Sequence, residues 1–212
     1  MPTKTPSTDL QSRFINVTDA LKHVVIDVKY AGTDNFIGDP IDGYLASKVY
    51  LTPEAVNALE SAETRALNAG YRLKIYDGYR PQRAVDHFIR WANDAADIRQ
   101  QARFYPTLSK QALFENGYLF EHSSHSRGST LDLTLVDSQS PDNELDMGTE
   151  FDFFDETSHT HNALITAHHA KNRQLLVDIM AASGFINAPV EWWHFTLANE
   201  PFTDTYFNWD IC

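Results

Sequence analysis

The sequence predicts an α+β domain. Segments with helix start and stop signals stand between segments that alternate apolar and polar residues with period 2. The two kinds are intermixed without regular βαβ units, which argues against a doubly wound parallel sheet. With 212 residues, 42% of them hydrophobic, the chain is sized for one domain over 1–212 and is long enough to bury a core.

Residues 1–20 are polar and are expected to form a loose arm. Val24–Tyr30 alternates as a strand, with Ile26, Val28 and Tyr30 on one face. Residues 31–44 are rich in Gly, Asp, Asn and Pro and read as an irregular loop. Thr52-Pro53-Glu54 is a helix start: a capping hydroxyl, a proline at the first helical position and an acid at the positive end. Val56, Leu59, Ala62 and Ala66 form its inner stripe, and Gly70 ends it. Residues 71–77 alternate again, with Leu73 and Ile75 on one face. A second helix is expected over 82–102, with Val85, Phe88, Ala92 and Ala95 inward, and a short one over 109–115. Residues 129–136 form a strand with Leu131, Leu133 and Leu135 on one face and Thr130, Asp132 and Thr134 on the other. An acidic loop follows over 137–160, then a third helix over 162–183 closed by Gly184, and a last strand over 193–198.

The formal net charge of −12 argues against nucleic acid, which needs stripes of Lys and Arg, and against an anionic membrane surface. The single cysteine, Cys212, excludes a disulfide within the chain and a Cys-rich metal site. Met1–Asp9 carries no apolar secretory core, and no run approaches the ~18 apolar residues of a membrane span. A cytoplasmic protein is expected. Nothing in the pattern specifies a homo-oligomer.

Two runs carry chemistry. The first is Ser123-Ser124-His125-Ser126-Arg127-Gly128-Ser129-Thr130-Leu131-Asp132, and the second is Glu191-Trp192-Trp193-His194. Two histidines and an aspartate suffice to hold a catalytic zinc with one position open. The remaining carboxylate, Glu191, is what a metal-activated water needs as proton acceptor. Period-2 alternation puts Asp132 and His194 on the polar faces of their strands, so they converge if those strands are neighbours. His125 lies seven residues before Asp132, an odd separation, so the chain must bend between them, and Gly128 permits the bend. Glu191 is expected in the turn before the last strand.

Each residue alone has a plainer reading. A lone histidine is more often structural, a strand aspartate is often an edge charge, and Trp192-Trp193 is more often core. The conjunction is what favours a metal site. His159 and His161 flank a threonine but have no carboxylate base at useful spacing. His168 and His169 fall on the apolar side of the third helix and are expected as hydrogen-bonded core residues. No His-Glu-x-x-His is present. Arg80, expected at the end of a strand and fixed before Pro81, suits an oxyanion or a substrate carboxylate.

At these residues the sequence resembles the D-alanyl-D-alanine dipeptidases, zinc enzymes of the vancomycin-resistance type, grouped with the metallo-D,D-carboxypeptidases and the Hedgehog signalling domain. The resemblance also takes in Tyr30, Asp34-Asn35-Phe36, Asp42-Gly43-Tyr44, Asp77-Gly78-Tyr79-Arg80-Pro81, Met147-Gly148-Thr149 and Phe151-Asp152-Phe153-Phe154-Asp155, in family order over residues 24–198. It implies a central, mainly antiparallel sheet with flanking helices and one Zn2+ per chain. It also implies roles: His125, Asp132 and His194 as zinc ligands, Glu191 as general base and acid, and Arg80 as transition-state stabiliser. Tyr30 and Asp152 would hold the substrate ammonium, and Ser123 would contact the substrate, a small zwitterionic dipeptide. The expected reaction is hydrolysis of D-alanyl-D-alanine to two D-alanines. The rivals are a metallo-D,D-carboxypeptidase that trims longer peptidoglycan stems and a non-catalytic zinc-binding recognition module.

Overall fold

The computed structural model describes residues 13–212. Strand β1 (Ile15–Asn16) leads into α1 (Val17–Ala20), and β2 (Val25–Ile26) follows. β3 (Tyr50–Leu51) pairs antiparallel with β1. Phe14 and Val17 are buried in the core, so residues 13–20 are packed chain rather than the loose arm expected there; the rest of that arm lies outside the described residues. The strand expected over 24–30 is only two residues long. Asp27 N–H still bonds the Ile75 carbonyl at 2.9 Å, but the chain then curls into a 3-10 turn over Lys29–Ala31. The returning loop satisfies the Tyr30 carbonyl through Ile41 N–H at 2.9 Å, leaving it nothing to offer a sheet.

Helix α2 (Pro53–Asn68) starts where its signals place it. Thr52 Oγ1 accepts from Ala55 N–H at 3.3 Å, and Val56, Leu59, Ala62 and Ala66 are buried. β4 (Tyr71–Asp77) leads to α3 (Gln82–Asn93), α4 (Gln101–Phe104) and α5 (Lys110–Glu115). The helix expected over 82–102 stops early. Asp94 adopts extended backbone (φ −88, ψ 91), and its carboxylate accepts from Ala96 N–H at 3.0 Å. A local side-chain bond thus replaces the helical one, and Ala95 is exposed.

After β5 (Thr130–Asp137) and the long loop come α6 (Ala167–Ala181), β6 (Phe185–Asn187) and β7 (His194–Leu197). α6 begins five residues later than expected. Asn162 Oδ1 accepts from Leu164 N–H at 2.7 Å in a turn, and Thr166 supplies the cap. His168 is therefore exposed and His169 only partly buried, beside Asp146 at 3.2 Å; neither is the core histidine expected.

The main sheet runs β2-β4-β5-β7-β6. The β2–β4 pair is parallel and the other three are antiparallel. Leu73 lies opposite Leu135, Ile75 opposite Leu133, and Leu131 opposite Phe195, so one face is apolar. Helices α2 and α6 pack on this body. Thr130–Val136 is buried throughout, so its polar side is covered as well. No helix among the described residues is long and apolar enough to cross a membrane.

A 3-10 turn over Ser124–Arg127 enters β5 through Gly128, whose φ is +86. A Cβ there would run into the Phe14 ring and lie 3.3 Å from Thr52 Cγ2. Gly128→Ala combines left-handed strain of roughly 1–2 kcal/mol with overpacking of roughly 1–3 kcal/mol. The expected outcome is a fall in Tm of roughly 5–15 °C in thermal denaturation. Gly32→Ala, where open space surrounds the added methyl, should move Tm little.

Candidate active site

Strand register assembles the centre. Asp132 lies directly opposite His194 in the β5–β7 ladder. β4 carries a bulge between Ile75 and Asp77. Continued regularly, that ladder would put Asp77 opposite Leu131, on the apolar face. The bulge sets Asp77 opposite Asp132 instead, re-aiming its carboxylate into the site. The bend at Gly128 brings His125 to the same place.

His125 Nε2 lies 3.3 Å from Asp132 Oδ2 and 3.3 Å from His194 Nδ1, which is 3.2 Å from Asp132 Oδ1. One ligand atom from each residue lies within 4.8 Å of the others. The other nitrogen of His125, Nδ1, is 2.8 Å from the Gly78 carbonyl. A carbonyl can only accept, so Nδ1 carries the proton and Nε2 turns a lone pair inward. Asp132 Oδ1 is buried and accepts no hydrogen bond. Two imidazoles and an orphaned carboxylate oxygen fit the N/O donor set of zinc. Burial alone would raise the Asp132 carboxyl, but His125 and His194 outweigh it and hold it below the usual range.

Around this trio lie the other expected residues. Glu191 sits in the turn before β7, and its Oε2 is 3.6 Å from His194 Nδ1. Burial pushes its carboxyl up to about 7, suited to taking and returning a proton near neutrality. A cation at the trio would draw it down again. Arg80 stands in the turn three residues past β4, not at the strand end. Its Nε donates to Asp77 Oδ2 at 2.9 Å and its Nη2 to Asp132 Oδ2 at 3.3 Å. The Tyr30 and Phe88 rings hold the guanidinium at 5.1 and 5.2 Å. Tyr30 Oη donates to Asp152 Oδ2 at 2.8 Å. Asp152 is buried with φ +61, strained for a non-glycine residue. Burial, then the charge of Asp132, raises its carboxyl well above the usual range. Ser123 Oγ accepts from His125 N–H at 3.2 Å.

All eight of these residues line one cavity of about 330 Å³, with Phe36, Phe88, Tyr118 and Leu119 among its apolar walls. The competing histidines stay apart. His159 faces the Tyr118 hydroxyl at 3.3 Å and His161 is exposed. Among the described residues, His125, Asp132 and His194 are the one group of three placed to share an ion.

The sequence profile of an M15 peptidase family, described as D-ala-D-ala dipeptidase, matches residues 11–211. The chain belongs to this family of metallopeptidases. It is 42% identical to the D-alanyl-D-alanine dipeptidase of Enterococcus faecalis, with 95% of this chain and 100% of that one aligned. It is 43% identical to the enzyme of that name from Streptomyces coelicolor, over 93% and 98%. The Escherichia coli enzyme of that name is 36% identical, over 81% and 78%.

Two polar groups beside the site were not singled out from the sequence. Asp77 binds Arg80, accepts from Tyr44 Oη at 2.6 Å, and lies 3.5 Å from His125 Nδ1. Ser124 Oγ is 3.4 Å from His194 Nε2. Asp77 was visible in Asp77-Gly78-Tyr79-Arg80-Pro81, but simple alternation put it on the apolar face. Asp132→Ala should drop the metal retained after desalting to near none by elemental analysis. The His159→Ala/His161→Ala double variant should keep it.

Proposed function

We propose that this protein, as one domain, is a zinc-dependent D,D-dipeptidase that hydrolyses D-alanyl-D-alanine to two D-alanines. The observation that carries this reading is the gathering, in one cavity, of a His–Asp–His trio, a spare carboxylate and a buried Tyr30–Asp152 pair. His125, Asp132 and His194 would hold zinc, which when bound lowers the pKa of a water and polarises a carbonyl. Glu191 takes the proton of the attacking water and returns it to the departing amine. Arg80, locked by Asp77, offers its guanidinium to the developing oxyanion. Such a donor is typically worth about 2.7–4 kcal/mol.

Asp152 sets the substrate class. Its carboxylate, held by Tyr30, favours a free ammonium and leaves an acylated nitrogen without a partner. A dipeptide with nothing on its N-terminal side satisfies that condition, whereas a longer stem peptide does not. Ser123, on the cavity wall, contacts the bound dipeptide.

Zinc-loaded protein should hydrolyse D-Ala-D-Ala and leave L-Ala-L-Ala and N-acetyl-D-Ala-D-Ala largely uncut. Similar turnover of the acetylated dipeptide or a pentapeptide would favour the carboxypeptidase. No turnover at all would favour a non-catalytic zinc module. Glu191→Ala should lower kcat by roughly 10²–10⁴-fold with zinc content unchanged. Asp152→Asn should raise KM and erode the preference for the free amine.

A further inference from the structure

Arg173, on α6, is 1% exposed, and among the described residues no carboxylate pairs with it. Burial alone pulls its guanidinium down to about 10. A buried cation without a counter-ion is costly, so what it holds matters. Its Nε donates to the Met147 carbonyl at 2.7 Å, and its Nη1 to the His159 carbonyl at 2.6 Å. These two carbonyls are the feet of the loop that carries Asp152. Its Nη2 reaches Thr149 Oγ1 at 3.4 Å.

Thr149 Oγ1 in turn accepts from Trp192 Nε1–H at 2.9 Å and from Ser158 Oγ at 3.0 Å. Trp192 N–H donates to the Ser158 carbonyl at 3.1 Å, and Thr160 N–H to the Pro189 carbonyl at 2.9 Å. The loop bearing Asp152 and the turn bearing Glu191 are thus laced together, and the guanidinium closes the lacing from behind. Lysine has no planar fork to span both feet.

We propose that Arg173, acting through Thr149 and Trp192, is a positioning residue that pinches the 147–159 loop shut and holds Asp152 in register with Glu191. This rests on the ammonium-binding and base roles given to those two carboxylates. None of the three is among the residues that line the cavity. The strained backbone of Asp152 persists because its surroundings over-determine it, and Arg173 fixes both ends of the loop that carries it.

The test uses zinc-loaded, full-length protein and three variants: Arg173→Met, Arg173→Lys and the milder Thr149→Val. Backbone hydrogen exchange is measured over 147–159 and 188–193, beside kinetics on D-Ala-D-Ala and N-acetyl-D-Ala-D-Ala. Faster exchange in both segments together is expected in Thr149→Val and Arg173→Met, with zinc content unchanged. KM for D-Ala-D-Ala should rise roughly 10–100-fold, more than kcat falls, and the preference for the free amine should shrink. Arg173→Lys should recover part of the loss. A folded Thr149→Val protein with wild-type exchange and preference would overturn the inference, as would losses equal on both substrates that track Tm alone. If wild-type protein shows no preference for the free amine, the reading of Asp152 fails and the inference with it. That failure is distinguishable because the preference is then missing before any substitution.

Discussion

The antiparallel register that sets Asp132 opposite His194 is the constraint on which the site depends. Side chains on paired strand residues are about 4.5–5.5 Å apart at Cβ, a distance that lets two ligands share an ion with no loop to position them. A slip of one residue would turn Asp132 into the apolar layer and Leu131 or Leu133 towards the polar face. The leucine ladder opposite Leu73, Ile75 and Phe195 opposes that slip, because it would put leucines on the polar face and bury the Asp132 carboxylate in the apolar layer. The core therefore fixes the register of Asp132 and His194.

Electrostatics set the next requirement. Asp77, Asp132 and Asp152 are almost wholly out of water; Asp132, Asp152 and Glu191 line the cavity, and Asp77 lies behind it on Arg80. Arg80 is the guanidinium among the described residues that lines it. One cation beside this many carboxylates leaves buried negative charge uncompensated, which burial punishes. Burial first, and then the charge of Asp132, raises the Asp152 carboxyl, and burial raises that of Glu191. A divalent cation on the trio would relieve this imbalance, and a cationic group beside Asp152 would relieve the rest. The same imbalance favours a metal at the trio and, on the proposed reading, a zwitterion with its positive end towards Asp152.

Much of this was legible in the sequence, for identifiable reasons. Asp132 and His194 were found because period-2 alternation holds on the two strands that carry them, and the bend at Gly128 followed from an odd spacing. Helix α2 was placed by Thr52-Pro53, whose capping chemistry is local. Local chemistry also explains the failures: the Asp94 side chain ended α3 early, and the Asn162 turn delayed α6, so His168 and His169 left the core. Tyr30 was expected on a strand and sits on a 3-10 turn, because the returning loop takes its carbonyl. The bulge that delivers Asp77, the three-residue β6 and the Arg173 lacing depend on contacts distant in sequence, to which periodicity is blind.

The central claim is that strand register places three ligands around one ion. The most direct measurement is anomalous diffraction at the zinc edge from zinc-loaded crystals. The expected result is a single peak bonded to His125 Nε2, His194 Nδ1 and an Asp132 oxygen, with Glu191 near but not bonded. A peak at His159–His161 or elsewhere, with the His125–Asp132–His194 trio empty, would contradict it.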